Sequence, residues 1–190
     1  MMRIISGSKK GHTILSYKNK EIRPLTDKNR ETIFNILIHG KEIITTGFEI
    51  TNSIVLDLFA GTGAFSFEAL SRGALKATAV ESSSLMIDLI YKNAEKLKFR
   101  DKIIIFDENA CSFTNDSSNP KFDLVYCDPP YEKKLGIRSL KNLIKKNMLN
   151  TNAIIILEEE LKSKTIDFPE LEILRIKEIG ISKFSFLRLL

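Results

Sequence analysis

At the end of its first long apolar run, the chain reads Asp57-Leu58-Phe59-Ala60-Gly61-Thr62-Gly63. A helical pattern follows from Ala64 to Ser71 and ends before Gly73. Glycine lets the backbone approach a ligand without a Cβ in the way, and open α/β sheets bind ligands at the carboxyl ends of their strands. This turn between a strand and a helix therefore predicts a loop that cradles an adenosine-type cofactor.

The rest of the chain repeats this alternation of strands and helices. Predicted strands run from Ile54 to Phe59, Lys76 to Val80, Ile103 to Phe106, Phe122 to Cys127 and Ala153 to Leu157, and predicted helices from Ala64 to Ser71, Ser84 to about Leu97 and Ser139 to about Met148. Such alternation predicts an α/β fold in which helices cover both faces of a mostly parallel sheet. Two later apolar runs, Leu171 to Ile179 and Phe184 to Leu189, are too close for a helical crossover and predict a C-terminal antiparallel hairpin.

A small extension precedes the first parallel strand. Arg3 to Ser6 and His12 to Leu15 predict a short β element, and Thr26 or Asp27 can cap an amphipathic helix that ends near Leu37. A chain of 190 residues with 43% hydrophobic content suffices for one core and a small appendage. We therefore predict a β and helix extension over residues 1–41 and one sheet domain over residues 42–190.

The positive charge of the chain is concentrated in this extension. Residues 1–41 carry nine Lys and Arg side chains against three acidic ones, whereas residues 42–190 carry 20 against 21. A local basic element on a near-neutral body is typical of a surface that follows nucleic-acid phosphates, although a solvated lysine-rich face is the plain alternative. The predicted phosphate contacts are Arg3, Lys9, Lys10, Arg23 and Arg30, with Arg23 and Arg30 the first candidates.

A second motif, Asp128-Pro129-Pro130-Tyr131, follows the apolar run Phe122 to Cys127. The Asp128 carboxylate and the Pro129 carbonyl can accept both hydrogens of an amine, which frees the nitrogen lone pair for attack. Two prolines hold the backbone rigid, and Tyr131 offers a face on which a base can stack. We predict that these four residues form the catalytic pocket for a flat, amino-bearing substrate; the alternative is a surface turn.

The two motifs together predict methyl transfer from S-adenosylmethionine to an exocyclic amine. Glu81 ends the second strand, where an acid would bind the two ribose hydroxyls, and Asp57 could accept hydrogen bonds from the amino group of the cofactor. Asn109 and the Ala110 N–H could reach the adenine edge, with Asp107 a competing candidate. The predicted cofactor-binding set is Asp57, Phe59, Ala60, Gly61, Thr62, Gly63, Glu81, Asn109, Ala110 and Asp128. A nicotinamide dinucleotide fits less well, because Ser66 stands where its fingerprint needs a third glycine.

The cysteines, the histidines and the lengths of the apolar runs argue against several classes of protein. Cys111 and Cys127 lack the Cys-x-x-Cys spacing of a zinc site, and strand alternation turns Cys127 away from the Asp128 side, into the core. His12 and His39 have no second ligand at metal spacing, so we expect no metal. No run approaches the length of a membrane span, and the first residues lack the core of a signal peptide. We expect a cytoplasmic protein, and, because no apolar stripe stands out, a monomer.

Several segments resemble the bacterial 16S ribosomal RNA guanine-N2 methyltransferases. They are Arg3 to Gly7, Arg23 to Asn35, Asp57 to Gly63 with its continuation Glu68 to Ala74, and Asp128 to Tyr131. The resemblance covers nearly the whole chain, with small departures at Leu25 and Asn29. It implies a seven-stranded class I methyltransferase fold, S-adenosylmethionine as donor, and a guanine in an RNA loop as acceptor, presented on a partly assembled small ribosomal subunit. The basic extension would then hold the RNA while one base is swung out of its stack.

Other functions remain open. A DNA adenine-N6 methyltransferase shares the Asp128 motif but usually carries a separate recognition domain, and a protein glutamine methyltransferase would more typically have Asn at position 128. A non-catalytic RNA-binding protein would have a basic extension but no reason to combine Glu81, Asp128 and Tyr131.

Overall fold

The computed structural model describes residues 2–17, 26–115, 119–130, 134–163 and 168–190. Two short strands, β1 (Met2–Arg3) and β2 (Thr13–Ile14), form an antiparallel pair. A second sheet contains β3 (Ile54–Leu58), β4 (Lys76–Glu81), β5 (Ile103–Asp107), β6 (Phe122–Cys127), β7 (Leu149–Glu160), β8 (Leu171–Ile179) and β9 (Ser182–Leu189). Its strand order is β5-β4-β3-β6-β7-β9-β8.

This order confirms the predicted seven-stranded sheet. Strands β3 to β7 pair in parallel, while β9 pairs antiparallel with both β7 and β8 as the C-terminal hairpin. The chain builds outward from β3 through β4 to β5 and then returns to the other side of β3 with β6. That reversal is the switch point at which α/β sheets bind ligands, and it lies between the two strands that carry the sequence motifs.

Five α-helices accompany the strands within the described residues: α1 (Asp27–His39), α2 (Lys41–Ile44), α3 (Ala64–Ser71), α4 (Ser84–Leu97) and α5 (Leu135–Lys145). The side chain of Thr26 caps α1 by accepting the Asn29 N–H, as its position predicted. Helix α5 begins four residues before the predicted start at Ser139, which is buried inside the helix. None of these helices is both long and apolar enough to traverse a lipid bilayer.

Strand β7 is longer than predicted. The expected segment, Ala153 to Leu157, is extended at its start by the polar residues Asn150 to Asn152. This start is held because Leu149 pairs with Phe122 across an irregular step in the register. Pairing with a neighbouring strand thus overrides the weak strand preference of asparagine.

The sheet is buried on both faces by two apolar clusters. Alternate residues of β6 divide between them, so Leu124 and Tyr126 face one cluster and Val125 and Cys127 face the other. On the first face, the ring of Phe65 stacks on Tyr126 with centroids 4.2 Å apart and on Phe34 of α1 at 4.9 Å. Each such pair adds about 0.5–1.5 kcal/mol beyond the area it buries.

The N-terminal arm, defined here as residues 2–17, docks on α3 through a buried carboxylate. Glu68 accepts the backbone N–H groups of Ile5 and Ser6 at 2.8 and 3.0 Å. Nearby, the Ser71 hydroxyl accepts the Lys9 N–H at 2.9 Å. The arm is thus hydrogen-bonded to the sheet domain, and the domain boundary predicted at residue 41 stays a prediction.

Candidate active site

The two sequence motifs meet at the switch point of the sheet. Leu58, the last residue of β3, pairs with Cys127, the last residue of β6. One residue farther on, the Asp128 N–H points to the Leu58 carbonyl oxygen at 3.5 Å. Adjacent parallel strands therefore deliver the glycine-containing loop and Asp128 to one crevice.

The loop after β3 has an unusual backbone. Phe59, Gly61 and Gly63 all have positive φ angles, of 60°, 55° and 74°, and a non-glycine residue in this region costs about 1–2 kcal/mol. A Cβ on Gly61 would meet no atom within 4 Å, whereas a Cβ on Gly63 would lie 2.8 Å from the ring of Phe67. Gly61 therefore leaves the space above the loop open, and Gly63 is required for close packing of α3.

Asp57, in β3, supports the loop after β3 through hydrogen bonds to the first turn of α3. It is buried, and its Oδ2 accepts both the N–H and the hydroxyl of Ser66 at 3.1 and 2.7 Å, which anchors the first turn of α3 to β3. Burial raises the pKa of Asp57 to about 7, although the Ser66 hydrogen bonds oppose the shift. The predicted contact between Asp57 and the cofactor stays a prediction, and Ser66 is a supporting residue that sequence reasoning missed.

Glu81 lies beside the same loop at the end of β4. Its Oε2 accepts the Gly61 N–H at 2.8 Å, and its Oε1 accepts the N–H groups of Ser82 and Ser83 at 2.9 Å each. A carboxylate has about four acceptor positions, so these bonds occupy three of them. Binding both ribose hydroxyls, as predicted for Glu81, would require it to give up one of these bonds.

The loop after β5 carries the residues predicted to reach adenine. The Glu108 N–H donates to the backbone oxygen of Glu81 at 3.1 Å, which places this loop beside the end of β4. The side chain of Asn109 accepts the Cys111 N–H at 2.9 Å, Ala110 is buried and Asp107 is exposed. The structure therefore brings these candidates to the same edge of the sheet as the loop after β3, and the choice between Asp107 and Asn109 stays open.

Asp128 is partly exposed, Pro129 is buried and Pro130 is exposed. Gly136 of α5 keeps this segment close to the sheet, because a Cβ there would lie 3.1 Å from Pro129 Cγ and 2.7 Å from Leu157 Cδ1. Gly136 is a second supporting residue that the sequence did not reveal, since its tightest contact, Leu157, lies on a later strand. Tyr131 lies outside the described residues.

The residues before Asp128 face opposite sides of the sheet. Cys127 is buried in the core, as predicted, and burial raises the pKa of its thiol well above the usual value, which disfavours the reactive thiolate. The Tyr126 hydroxyl donates to Glu158 at 2.6 Å, and the Ser182 hydroxyl donates to the other oxygen of Glu158 at 2.7 Å. This buried network joins β6 to β7 and β9.

The predicted phosphate contacts of the N-terminal extension, residues 1–41, have different environments. Arg3 and Lys10 are exposed, and the ammonium group of Lys9 lies 5.7 Å from the ring centroid of Phe99. Arg30, in contrast, has a side chain with 0% exposure, paired with Asp27 at 2.9 Å and Glu68 at 3.5 Å. The prediction that Arg30 contacts RNA phosphates is therefore wrong, because its guanidinium group is buried and pairs with Asp27 and Glu68. Arg23 lies outside the described residues.

Within the described parts of the chain, His, Cys, Asp and Glu side chains form no group of three or more that could hold a metal ion.

Comparison with known proteins identifies the family. The family described as Conserved hypothetical protein 95 matches residues 2–188. The chain belongs to this family. A ribosomal RNA small subunit methyltransferase D from Haemophilus influenzae is 33% identical, over 96% of this chain and 91% of the relative. An uncharacterized methylase from Rickettsia prowazekii is 32% identical, over 99% and 98%.

Solved structures agree with this membership. A candidate methyltransferase from Escherichia coli superposes with a TM-score of 0.84 at 29% identity, and the match covers 99% of this chain and 97% of that one. The class I methyltransferase fold and the family resemblance predicted from the sequence motifs are thereby confirmed.

Proposed function

We propose that this protein transfers a methyl group from S-adenosylmethionine to the exocyclic N2 amine of a guanine in small-subunit ribosomal RNA. The observation that carries the proposal is the meeting of the Gly61 loop and Asp128 on adjacent strands. A relative that spans 96% of the chain is a ribosomal RNA small subunit methyltransferase, which supports ribosomal RNA as the substrate.

The residues of the crevice fit this methyl donor. Gly61 leaves open space above the loop, and Glu81 places a carboxylate beside it. We assign Glu81 to the ribose hydroxyls and Asn109 or Asp107, with the Ala110 N–H, to the adenine edge. When bound, the donor supplies an electrophilic methyl group on a sulfonium centre.

The chain itself supplies orientation and a proton acceptor. The Asp128 carboxylate and the Pro129 carbonyl accept the two N–H groups of the guanine amine, which directs the nitrogen lone pair toward the methyl group. Buried Pro129, packed against Gly136, keeps that carbonyl fixed. The product nitrogen then loses its proton to Asp128 or to water. We assign base stacking to Tyr131.

The basic arm would hold the RNA. Arg3 and Lys10 are exposed beside the sheet domain and can contact phosphates while the target base leaves its stack. We further propose that the protein acts as a cytoplasmic monomer on a partly assembled small subunit.

Transfer of a labelled methyl group tests this proposal against its alternatives. Small ribosomal subunits, free ribosomal RNA, duplex DNA and protein are offered separately with labelled S-adenosylmethionine. We expect incorporation into ribosomal RNA, free or in subunits. Incorporation into DNA or protein would favour the alternative enzymes, and no incorporation anywhere would favour a non-catalytic RNA-binding protein.

Replacement of Asp128 tests the mechanism. We expect Asp128→Ala to retain S-adenosylmethionine binding through the other predicted cofactor contacts, and to lose about 10²–10³-fold in transfer rate, the typical effect of removing one group that stabilises transition-state charge. Asp88→Ala is the control, because Asp88 is an exposed carboxylate of α4 whose partner is Lys92. Near-normal turnover of Asp128→Ala would remove Asp128 from the mechanism.

Replacement of the arm cations tests RNA binding. We expect Arg3→Ala with Lys10→Ala to weaken RNA binding and to lower the slope of log affinity against log salt by about 1 per removed charge. Lys145→Ala with Lys146→Ala, at the exposed end of α5, is the charge-matched control. An equal slope in both double variants would contradict a phosphate contact by the arm.

A further inference from the structure

Asn93 is a buried polar residue that the mechanism does not use. It lies in α4 with 0% exposure. Its Oδ1 accepts the Leu15 N–H at 2.7 Å, and its Nδ2 donates to the carbonyl oxygens of Leu15 at 3.0 Å and Thr62 at 3.2 Å. One N–H and two carbonyl groups surround the amide, so a single orientation satisfies all three.

These hydrogen bonds join two segments that are distant in the sequence. Leu15 belongs to the N-terminal arm, and Thr62 lies between Gly61 and Gly63 in the loop after β3. A second contact joins the same segments, because the Thr62 hydroxyl lies 3.8 Å from the sulfur of Met2. The arm and the loop therefore meet at Asn93.

We propose that Asn93 is a positioning residue that couples RNA binding by the arm to donor binding by the loop. The inference rests on the proposed function, which assigns RNA to the arm and S-adenosylmethionine to the loop. The Nδ2 group can reach both carbonyls only when both segments are docked. A ligand that holds either segment in place therefore favours the amide orientation that holds the other, and linkage makes the effect reciprocal.

A neighbouring contact provides the matched control. Lys96, one turn farther along α4, donates from its ammonium group to the Thr13 hydroxyl of the arm. This exposed bond ties the same helix to the same arm but does not involve the loop after β3. Lys96→Ala should therefore loosen the arm without breaking the coupling.

The first test measures the affinity for S-adenosylhomocysteine, which has no methyl group to transfer, by calorimetry with and without saturating small ribosomal subunits. In the wild type and in Lys96→Ala, we expect subunits to tighten S-adenosylhomocysteine binding by about 5-fold or more, the lower end of typical coupling. In Asn93→Leu, we expect this ratio to fall to about one, because the variant has no amide. A wild-type ratio of one, or an undiminished ratio in Asn93→Leu, would overturn the inference.

The second test uses the wild type alone and covers the case in which Asn93→Leu fails to fold. Hydrogen exchange of single amides is followed by NMR with and without S-adenosylhomocysteine. We expect exchange at the Leu15 N–H to slow by about threefold or more, since a bound loop stabilises its hydrogen bond to Asn93. The Ile4 N–H, which bonds to His12 within the arm, is the internal reference and should change less.

The two possible failures are distinguishable in this experiment. If the amides of Gly61 and Gly63 are not slowed, the loop does not bind the ligand and the proposed function itself fails. If those amides are slowed while the Leu15 N–H is unchanged, the proposed function stands and the coupling through Asn93 is wrong.

Discussion

Replacement of Glu68 by glutamine should destabilise the protein strongly, because this carboxylate joins the N-terminal arm to α3. Glu68 has 0% side-chain exposure. It accepts the N–H groups of Ile5 and Ser6 at 2.8 and 3.0 Å and the Nε of Arg72 at 2.7 Å. The Nε of Arg30, also fully buried, lies 3.5 Å away. One negative charge thus faces two arginines and two backbone donors.

The expected loss follows from what glutamine cannot supply. The substituted side chain would keep one acceptor oxygen, but its amide nitrogen would face donors, and the two arginines would lose their shared counter-charge. Removing one partner of a buried ion pair costs about 3–5 kcal/mol of unfolding free energy, and hydrogen bonds to a charged group contribute about 1.5–3 kcal/mol each. We therefore expect Glu68→Gln to lower the unfolding free energy by about 3–5 kcal/mol.

Urea denaturation measures this loss directly. Asp88→Asn is the control. Asp88 pairs with Lys92 at 2.6 Å with the same i,i+4 spacing as Glu68 and Arg72. The Asp88 and Lys92 side chains, however, are 56% and 58% exposed. An exposed pair contributes about 0–1 kcal/mol, so the control should be nearly neutral. A loss below about 1 kcal/mol for Glu68→Gln, with an unchanged dependence on urea, would refute the role of this carboxylate.

Two further predictions concern a glycine and a titrating group. Gly7→Ala should destabilise the arm far more than Gly11→Ala: both glycines have positive φ, but only at Gly7 would a Cβ lie 1.8 Å from the backbone oxygen of Ser71. Equal losses in thermal denaturation would contradict this. The pKa of Asp57 is raised to about 7 in the folded state. Between about pH 4 and pH 7, Asp57 therefore keeps its proton in the folded protein, whereas the unfolded chain has lost it. Its contribution to the unfolding free energy is greatest below about pH 4 and falls until about pH 7. The unfolding free energy of Asp57→Asn should therefore rise relative to wild type by about 2–4 kcal/mol between pH 4 and pH 8, and a pH-independent difference would show that the shift is absent.

The central strands were predictable because they are largely apolar. Ile54 to Leu58 and Phe122 to Cys127 are apolar except for Asp57 and Asp123, as central strands buried on both faces require. The start of β7 was not predictable, because the polar residues Asn150 to Asn152 lie between Leu149, which pairs with Phe122, and Ile154, which pairs with Leu124. The strand preference of individual residues does not reveal pairing with a strand that is distant in the sequence.

The candidate site was likewise predictable in its position but not in its individual contacts. The motifs placed Asp128 and the glycine loop at the correct edge of the sheet, because strand ends fix positions. Individual contacts were not predictable, because they depend on side chains from other elements. Arg30 looked like a phosphate contact in a basic segment, yet Glu68, 38 residues later, pairs with it inside the fold. Asn93 carried no sequence signal at all.

Identification of the methylated nucleoside tests the central claim most directly. Small ribosomal subunits from cells lacking the gene are incubated with the purified protein and S-adenosylmethionine, and the RNA is digested to nucleosides for mass spectrometry. We predict the appearance of N2-methylguanosine with wild-type protein and its near absence with Asp128→Ala. A methyl group on another base, or equal N2-methylguanosine from both proteins, would contradict the account.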